Sequence, residues 1–323
     1  MLNMPLDVLQ QHPVRKNRPQ KRAFRNAVEA YVSRMGVSFC LEKGNIIIGD
    51  PEKAKYLVTA HYDTGVALPV SNRLYAEGSV FYVLHQLYIG VLLTLLPIIL
   101  SCVCSVAAML VYYRNTGLLD AGDLIPLGVV VFVLSLVALL LISHWTTYWG
   151  PANKNNANNN TSGVITVLEC LRSLPESQRH KVCFVLFDRY ETGMKGSACY
   201  YRKHRQALQK QLVLDLSCVG DGDHIFLFTT DKLKQNNTLL PSIYKCCGYF
   251  GAKSILVKEK GRAAHPADYQ KFPYAVGISA FKKGKNGHYI DRIHTSRDTI
   301  LDITNVNLLR TAICSMICGD AAH

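Results

Sequence analysis

Tyr56-Leu-Val-Thr-Ala-His-Tyr-Asp-Thr64 decides how this chain is read. Tyr56 to Ala60 is a short apolar run, too brief for a helix and rich in β-formers, which predicts a buried strand. Its C-terminal end hands His61 and Asp63 to a loop, on one face by the period-two alternation of strands. At that spacing Asp63 accepts a proton from one imidazole nitrogen and leaves the other free for a metal. A surface loop with an incidental His and Asp would carry the same triplet, so the rest of the chain has to decide.

Three further segments do so. Asn159-Asn-Thr-Ser-Gly163 precedes a helix-like run from Val164 to Leu174. Cys183 to Ser197 is a strand that breaks into a Gly-punctuated turn containing Tyr190-Glu191-Thr-Gly-Met-Lys-Gly196. Ile293-His-Thr-Ser-Arg-Asp-Thr299 lies near the C-terminus. In order and character these segments resemble the co-catalytic di-zinc exopeptidases, the family of bacterial leucyl aminopeptidase and glutamate carboxypeptidase. That family's signatures are Ala-His-x-Asp, Asp-Asn-x-Ser-Gly, Glu-Glu-x-Gly-(Leu/Met)-x-Gly-Ser, a strand ending Asp-x-x-Gly, and His-Thr-x-x-Asp. The resemblance covers residues 20–74 and 150–320, with a foreign insertion between them.

It implies a zinc-exopeptidase-like α/β fold, and it also exposes three departures. His61, Glu191 and His294 match three of the family's five zinc ligands. Asn159 stands where the family has the aspartate that bridges both metals, and Ser217 where it has the aspartate of the second site. Tyr190 replaces the glutamate that serves as general base. A bridging carboxylate supplies the charge that holds two repelling zinc ions together, and an amide does not. Neutral serine is a poor zinc ligand and too short to reach where an aspartate would. Tyrosine, with a pKa near 10, is no base at neutral pH. The expectation is a degenerate centre holding at most one zinc, weakly, or none. Asp188 and Asp215, each two residues before a lost group, could rescue the site only if backbone movement closed a gap of about 6 to 7 Å. Asp268, Tyr269 and Phe272 resemble the family's substrate-pocket segment, with Ala267 in place of its serine.

The insertion is membrane-like. No Asp, Glu, Lys or Arg occurs from Val80 to Tyr113, and Leu124 to Ile142 is apolar apart from Ser135. Each is long enough to cross a hydrocarbon core, which needs about 20 residues. The polar connection Arg114 to Asp123 makes them a helical hairpin, with Pro97 a kink in the first. Tyr112, Tyr113, Trp145, Tyr148 and Trp149 fall at the ends, as interfacial anchors do. An alternative lays Val80 to Gly90 along the interface. The expected organisation is therefore residues 1–79 and 146–323 as two parts of one peptidase-like domain, interrupted by a transmembrane hairpin at 80–145.

A hairpin returns the chain to the side it left. Met1 to Pro13 lacks the features of a signal peptide, so the peptidase-like domain is expected on the cytoplasmic side of a bacterial-type cell membrane. Eleven cysteines without paired spacing fit a reducing compartment. Pro19 opens an amphipathic helix with Phe24, Val28, Tyr31 and Met35 on one stripe. Arg15, Lys16, Arg18, Lys21, Arg22 and Arg25 form either a basic dock for anionic lipid or a solvated face. A net charge of +13 could serve nucleic acid, but no recognition motif or aromatic platform accompanies it.

Strands at 46–48, 56–60, 182–187, 213–217, 224–229, 254–257 and 277–281 alternate with helices at 162–174, 195–210, 239–250 and 303–318. That alternation predicts a mostly parallel α/β sheet covered on both faces, with sites at the carboxyl ends of its strands. Three functions fit the sequence. One is a membrane-anchored exopeptidase homologue with a decayed centre, serving as a peptide-binding or scaffolding module. Another is an active metallo-aminopeptidase acting on short peptides near the membrane. The third, a transport component, is disfavoured by two spans without an intramembrane Asp, Glu, Lys or Arg.

Overall fold

The computed structural model describes residues 4–68, 70–76, 79–117, 120–236, 253–258 and 265–319. The chain divides into two compact units, Met1–Ser79 with Ala152–His323, and Val80–Pro151.

The first unit is built on a mixed sheet. Its strands are β1 (Phe39–Glu42), β2 (Asn45–Ile48), β3 (Tyr56–His61), β4 (Leu74–Tyr75), β5 (Val182–Phe187), β6 (Leu212–Leu216), β7 (His224–Thr229), β8 (Ser254–Lys258), β9 (Ala275–Gly284) and β10 (Gly287–Ile290). The order is β1-β2-β5-β3-β6-β9-β10-β4, with β7 pairing β9 and β8 off that path. The central run β5-β3-β6-β9 is parallel, as the alternation predicts. Antiparallel pairings flank it, β1 with β2 and β2 with β5 on one side, β9 with β7 and β10 on the other. Every residue of β2, β3, β5 and β6 is buried, which is why they read as continuous apolar runs.

Helices cover both faces. Tyr56, Val58 and Ala60 share one core cluster with Phe24 and Val28 of α2 (Arg18–Ser33), with α5 (Ser162–Ser173) and with the last helix (Ile303–Gly319). Alternation sends Leu57, Thr59 and His61 to the opposite face. There Phe187 meets Tyr200 of α6 (Lys195–Lys203) and Phe272. The helix expected over 195–210 ends at Lys203, because His204 turns inward between Glu42 and Glu52. The expected helix at 239–250 lies outside the described residues.

α2 begins as its sequence dictates. Asn17 accepts from the Gln20 amide at 3.0 Å, and Gln20 Oε1 accepts from the Asn17 amide at 3.0 Å, a reciprocal cap. Its basic residues do not form one solvated face. Arg15 is fully buried, donating to Tyr62 O at 2.6 Å, His12 O at 2.8 Å, Thr161 Oγ1 at 3.1 Å and Asn156 Oδ1 at 3.3 Å. Lys21 and Arg25 both pair with Asp188, at 2.5 and 2.9 Å. A charge buried at the start of the chain needs acceptors, and the loops after β3 and before α5 supply them. Three of the six residues of the expected lipid dock thus face inward.

The second unit is a pair of helices, α3 (Ser79–Thr116) and α4 (Ala121–Tyr148). They run antiparallel: Tyr112 donates to Asp123, Ser105 to the carbonyl of Gly128, and Ser143 to that of Leu93. α3 continues through Pro97 as one helix of 38 residues. At 1.5 Å per residue it is about 57 Å long, nearly twice a hydrocarbon core of about 30 Å. Val80–Thr116 and Gly122–Thr147 are long and apolar enough to cross a membrane.

Candidate functional site

β3 delivers His61 to the carboxyl edge of the sheet, where its ring is buried. Its Nδ1 lies 3.3 Å from the backbone oxygen of Asp63 and 3.7 Å from Oδ1, so only the first is at hydrogen-bond distance. The expected bond to the carboxylate is therefore replaced by one to the carbonyl, with the same result. Nδ1 carries the proton, and Nε2 is left without a hydrogen-bond partner among the described residues. Burial works against charge on this imidazole, but Asp63 and Glu191 outweigh it and raise its pKa.

Asp63 has a different task. Its Oδ1 accepts the Tyr190 amide at 3.0 Å and its Oδ2 the Glu191 amide at 3.2 Å, fixing the turn after β5. Burial opposes the charged form here too, yet His61, Lys21 and the Tyr190 amide hold its pKa below the usual carboxylate value. Asp298 does the same for the Asn-rich loop, accepting the amides of Asn158 at 2.8 Å and Asn159 at 3.1 Å. Burial pushes its pKa up to about 6.

The three residues expected as zinc ligands, His61, Glu191 and His294, come together incompletely. Glu191 Oε2 and His294 Nδ1 are 3.9 Å apart, and Glu191 Oε1 has no hydrogen-bond partner among the described residues. Gly65 is what allows this proximity: a Cβ there would sit 2.8 Å from His294 Nδ1 and 2.9 Å from the Glu191 carboxylate. Asn159 Nδ2 lies 3.2 Å from His294 Nε2. An amide nitrogen can only donate, so Nε2 is the acceptor and the proton sits on Nδ1, toward Glu191. Asn159 Oδ1 in turn accepts from Cys218 Sγ at 3.4 Å. Ser217, just past β6, places its hydroxyl 3.9 Å from the same sulfur. Among the described residues no three His, Cys, Asp or Glu side chains form a metal-binding group.

These residues do not fit a co-catalytic zinc pair. The position expected to bridge presents an amide whose nitrogen and oxygen are both engaged within the protein, and the position expected at the second site presents a hydroxyl turned to a thiol. Neither Asp188 nor Asp215 replaces the lost groups. Asp188 is held by Lys21 and Arg25, and Asp215 accepts from Thr59 Oγ1 at 2.9 Å and the Tyr269 amide at 3.1 Å. Tyr190 lays its ring on that of His61, with centroids 3.9 Å apart and planes within 10°, and its hydroxyl donates to Pro266 O at 3.0 Å. Burial and the nearby Asp268 raise its pKa well above that of free tyrosine, which removes it as a base.

The expected substrate-pocket residues are core residues. Tyr269 packs on Gly277, and Phe272 stacks on Phe187. Asp268 is buried too, taking a 2.5 Å hydrogen bond from Ser197. Burial and the carboxylate of Asp215 push its pKa up to about 7.

Sequence reasoning passed over Cys218, Gly65, Asp298 as a loop holder, and Arg15 as a tether. Gly65 was detectable, standing immediately after the first signature. Arg189, Cys218 and His294, from three loops around the site, adopt positive φ, at 60°, 53° and 60°, and so do Met194 and Arg292 in the first and last of these loops, at 55° and 65°. Such backbone costs of order 1–3 kcal/mol per residue and persists where surrounding structure enforces it. The peptide between Asn159 and Asn160 is cis.

The arrangement has relatives. The structure of Legionella pneumophila LapA aminopeptidase is similar over 99% of this chain and 71% of its own, at 13% identity and a TM-score of 0.55. Porphyromonas gingivalis glutaminyl cyclase is similar over 98% of this chain and 97% of its own, at 14% identity and a TM-score of 0.55. A zinc aminopeptidase from Bacillus subtilis matches 51% of this chain at 19% identity and a TM-score of 0.41; the chain spans 42% of that relative's length. At these identities the likeness is one of fold. No curated protein sequence matches the chain. The sequence profile of peptidase family M28 matches residues 136–316, more than half of the 323 residues, and the chain belongs to that family.

Proposed function

We propose that this chain is a membrane-anchored M28 homologue that no longer hydrolyses peptides and acts as a peptide-binding or scaffolding module. The observation that carries the reading is the Asn159 side chain, whose amide hydrogen-bonds His294 at the position where a bridging carboxylate would gather two metals. A neutral amide there removes the charge that a metal pair needs. The frame around it is kept, because Asp63 and Asp298 still hold the loops that bordered the centre.

The test is elemental analysis of the purified full chain after dialysis, together with release of N-terminal residues from aminoacyl substrates. At most one loosely held zinc per chain and no zinc-dependent release are expected. Two tightly held zinc ions would overturn the proposal. A second reading, a single-zinc aminopeptidase, is favoured by His61 Nε2 and Glu191 Oε1, which have no hydrogen-bond partner among the described residues. Enzyme-like release that Glu191→Ala abolishes would establish it instead.

Anchoring rests on the two apolar helices. Large apolar side chains along them, such as Leu110, Leu134 and Leu141, are more than 60% exposed. Water does not tolerate so extensive an apolar surface, and lipid does. In this reading the hairpin dips into the bilayer and returns, leaving both parts of the peptidase-like domain on the cytoplasmic side. A reporter fused after Gly117 should read external, and fusions at Met1 and His323 should both read cytoplasmic. Termini on opposite sides would refute it.

A further inference from the structure

β1 forms one edge of the sheet, pairing with β2 alone among the described strands. The hairpin closes through Lys43 and Gly44, at φ of 50° and 99°, with Glu42 opposite Asn45, Leu41 opposite Ile46, Cys40 opposite Ile47 and Phe39 opposite Ile48. In a two-residue hairpin the residues beside the turn exchange hydrogen bonds, and the pairs then alternate. Glu42 and Cys40 therefore bond β2, while Phe39 and Leu41 turn their N–H and C=O groups to the open edge. Leu41 is 49% exposed, a large apolar side chain on that edge. A cavity of about 560 Å³ adjoins it, whose lining includes Leu41, Tyr200, the acidic Glu42 and the cationic residues Lys43, Arg202 and Lys203.

The charge at this place is unbalanced. Glu42 is consumed by Lys203 and His204. Arg202 donates to Ala198 O and Cys199 Sγ, neither of them charged, and Lys43 and Arg202 have no carboxylate partner among the described residues. We propose that an extended peptide segment bearing acidic side chains adds to β1 as a further strand. Its backbone would pair with Phe39 and Leu41, and its alternate side chains would enter the cavity, where Arg202 and Lys43 meet the carboxylates. Pairing with β1 of a second copy is disfavoured by the same charges, since it would bring these cations together. β2 and β5 separate this edge from β3, so the proposal stands or falls independently of any hydrolytic activity.

Fluorescence anisotropy on the full chain in detergent tests it, with two labelled eight-residue peptides, one alternating Glu with Val and one alternating Lys with Val. Only the acidic peptide should bind, and more weakly as salt rises. Leu41→Pro removes an outward N–H and leaves the β1–β2 ladder its bonds, so it should weaken binding roughly tenfold or more. Lys43→Glu combined with Arg202→Glu should do the same. Amide exchange on the native chain provides a reading that needs no variant: the peptide should slow exchange at Phe39 and Leu41. Equal binding of both peptides, unchanged binding in Leu41→Pro, or unaltered exchange at these two amides would overturn the proposal. So would full competition by free glutamate or inorganic phosphate, or self-association of the chain through this edge.

Discussion

Two sets of residues share one site and have different fates. Asp63 and Asp298 are still carboxylates, each buried and each accepting two backbone amides. Asn159 and Ser217, which the family resemblance aligns with metal-binding aspartates, carry no charge. The difference follows from what each group holds. Removing a buried acceptor strands its donors, at about 1–3 kcal/mol for each unsatisfied group. Losing a metal-facing carboxylate strands nothing once the metal is gone. It also relieves repulsion, since a site already holding Asp63, Glu191, Asp268 and Asp298 would not readily tolerate two further unscreened carboxylates. On the proposed reading, loop holders are retained by folding itself, whereas metal-facing carboxylates depend on the metal.

The largest effect should come from reversing the second set. Asn159→Asp cannot donate to His294 Nε2 and frees that nitrogen for a metal, Ser217→Asp restores a ligand, and Tyr190→Glu restores a base. A base alone typically contributes roughly 10²- to 10⁴-fold in rate, and groups acting as a unit are strongly non-additive. Zinc-dependent aminoacyl hydrolysis should therefore emerge in the triple variant and in none of the single ones. Hydrolysis by the unaltered chain at the same rate would erase the contrast.

Stability should divide the two sets the opposite way. Asp63→Ala leaves the Tyr190 and Glu191 amides unpaired and should destabilise by about 3 kcal/mol in denaturant unfolding, against about 0.5 kcal/mol or less for Ser217→Ala. Equal losses would mean that Ser217 also holds structure.

A third measurement concerns Asp268, which belongs to neither set. Its pKa rises from 3.8 to about 7 in the folded chain, so between those values the folded state binds more protons than the unfolded one. Its contribution is fully present at low pH and is lost as pH climbs toward 7. Asp268→Asn should flatten that decline by about 1–2 kcal/mol in unfolding measured across pH 4 to 7. A slope identical to that of the unaltered chain would show that another group titrates there.

The smallest change is expected from Tyr190. Replacing it with leucine removes the stack on His61, worth about 1 kcal/mol, and uncovers the ring. Unfolding should register the loss, and zinc should bind His61 no more weakly than before. A rise in hydrolysis on this single change would indicate that the tyrosine blocks a centre still able to work.

Local features of the chain were readable directly. The strand Tyr56 to Ala60 announces itself by β-branched and aromatic residues, and β5 and β6 likewise. The hairpin needs only length and apolarity. Asn17, Pro19 and Gln20 mark the start of α2, since a cap is settled within a few residues. β4 has two residues and β1 two exposed side chains, so neither has an alternation to read.

What the sequence determined by itself was therefore the α/β architecture and the two long apolar helices. Each depends on residue type and short-range period. Tertiary structure alone decided what the charged and polar groups do. Arg15, apparently part of a basic face, is buried as a tether between two loops. Asp188 and Asp215, candidate replacements, are bound by Lys21, Arg25, Thr59 and Tyr269. Asp63 holds the turn after β5 more than the histidine beside it. The physical reason is that a polar side chain is defined by its partner, and the partners named here lie from 47 to 167 residues away in the chain.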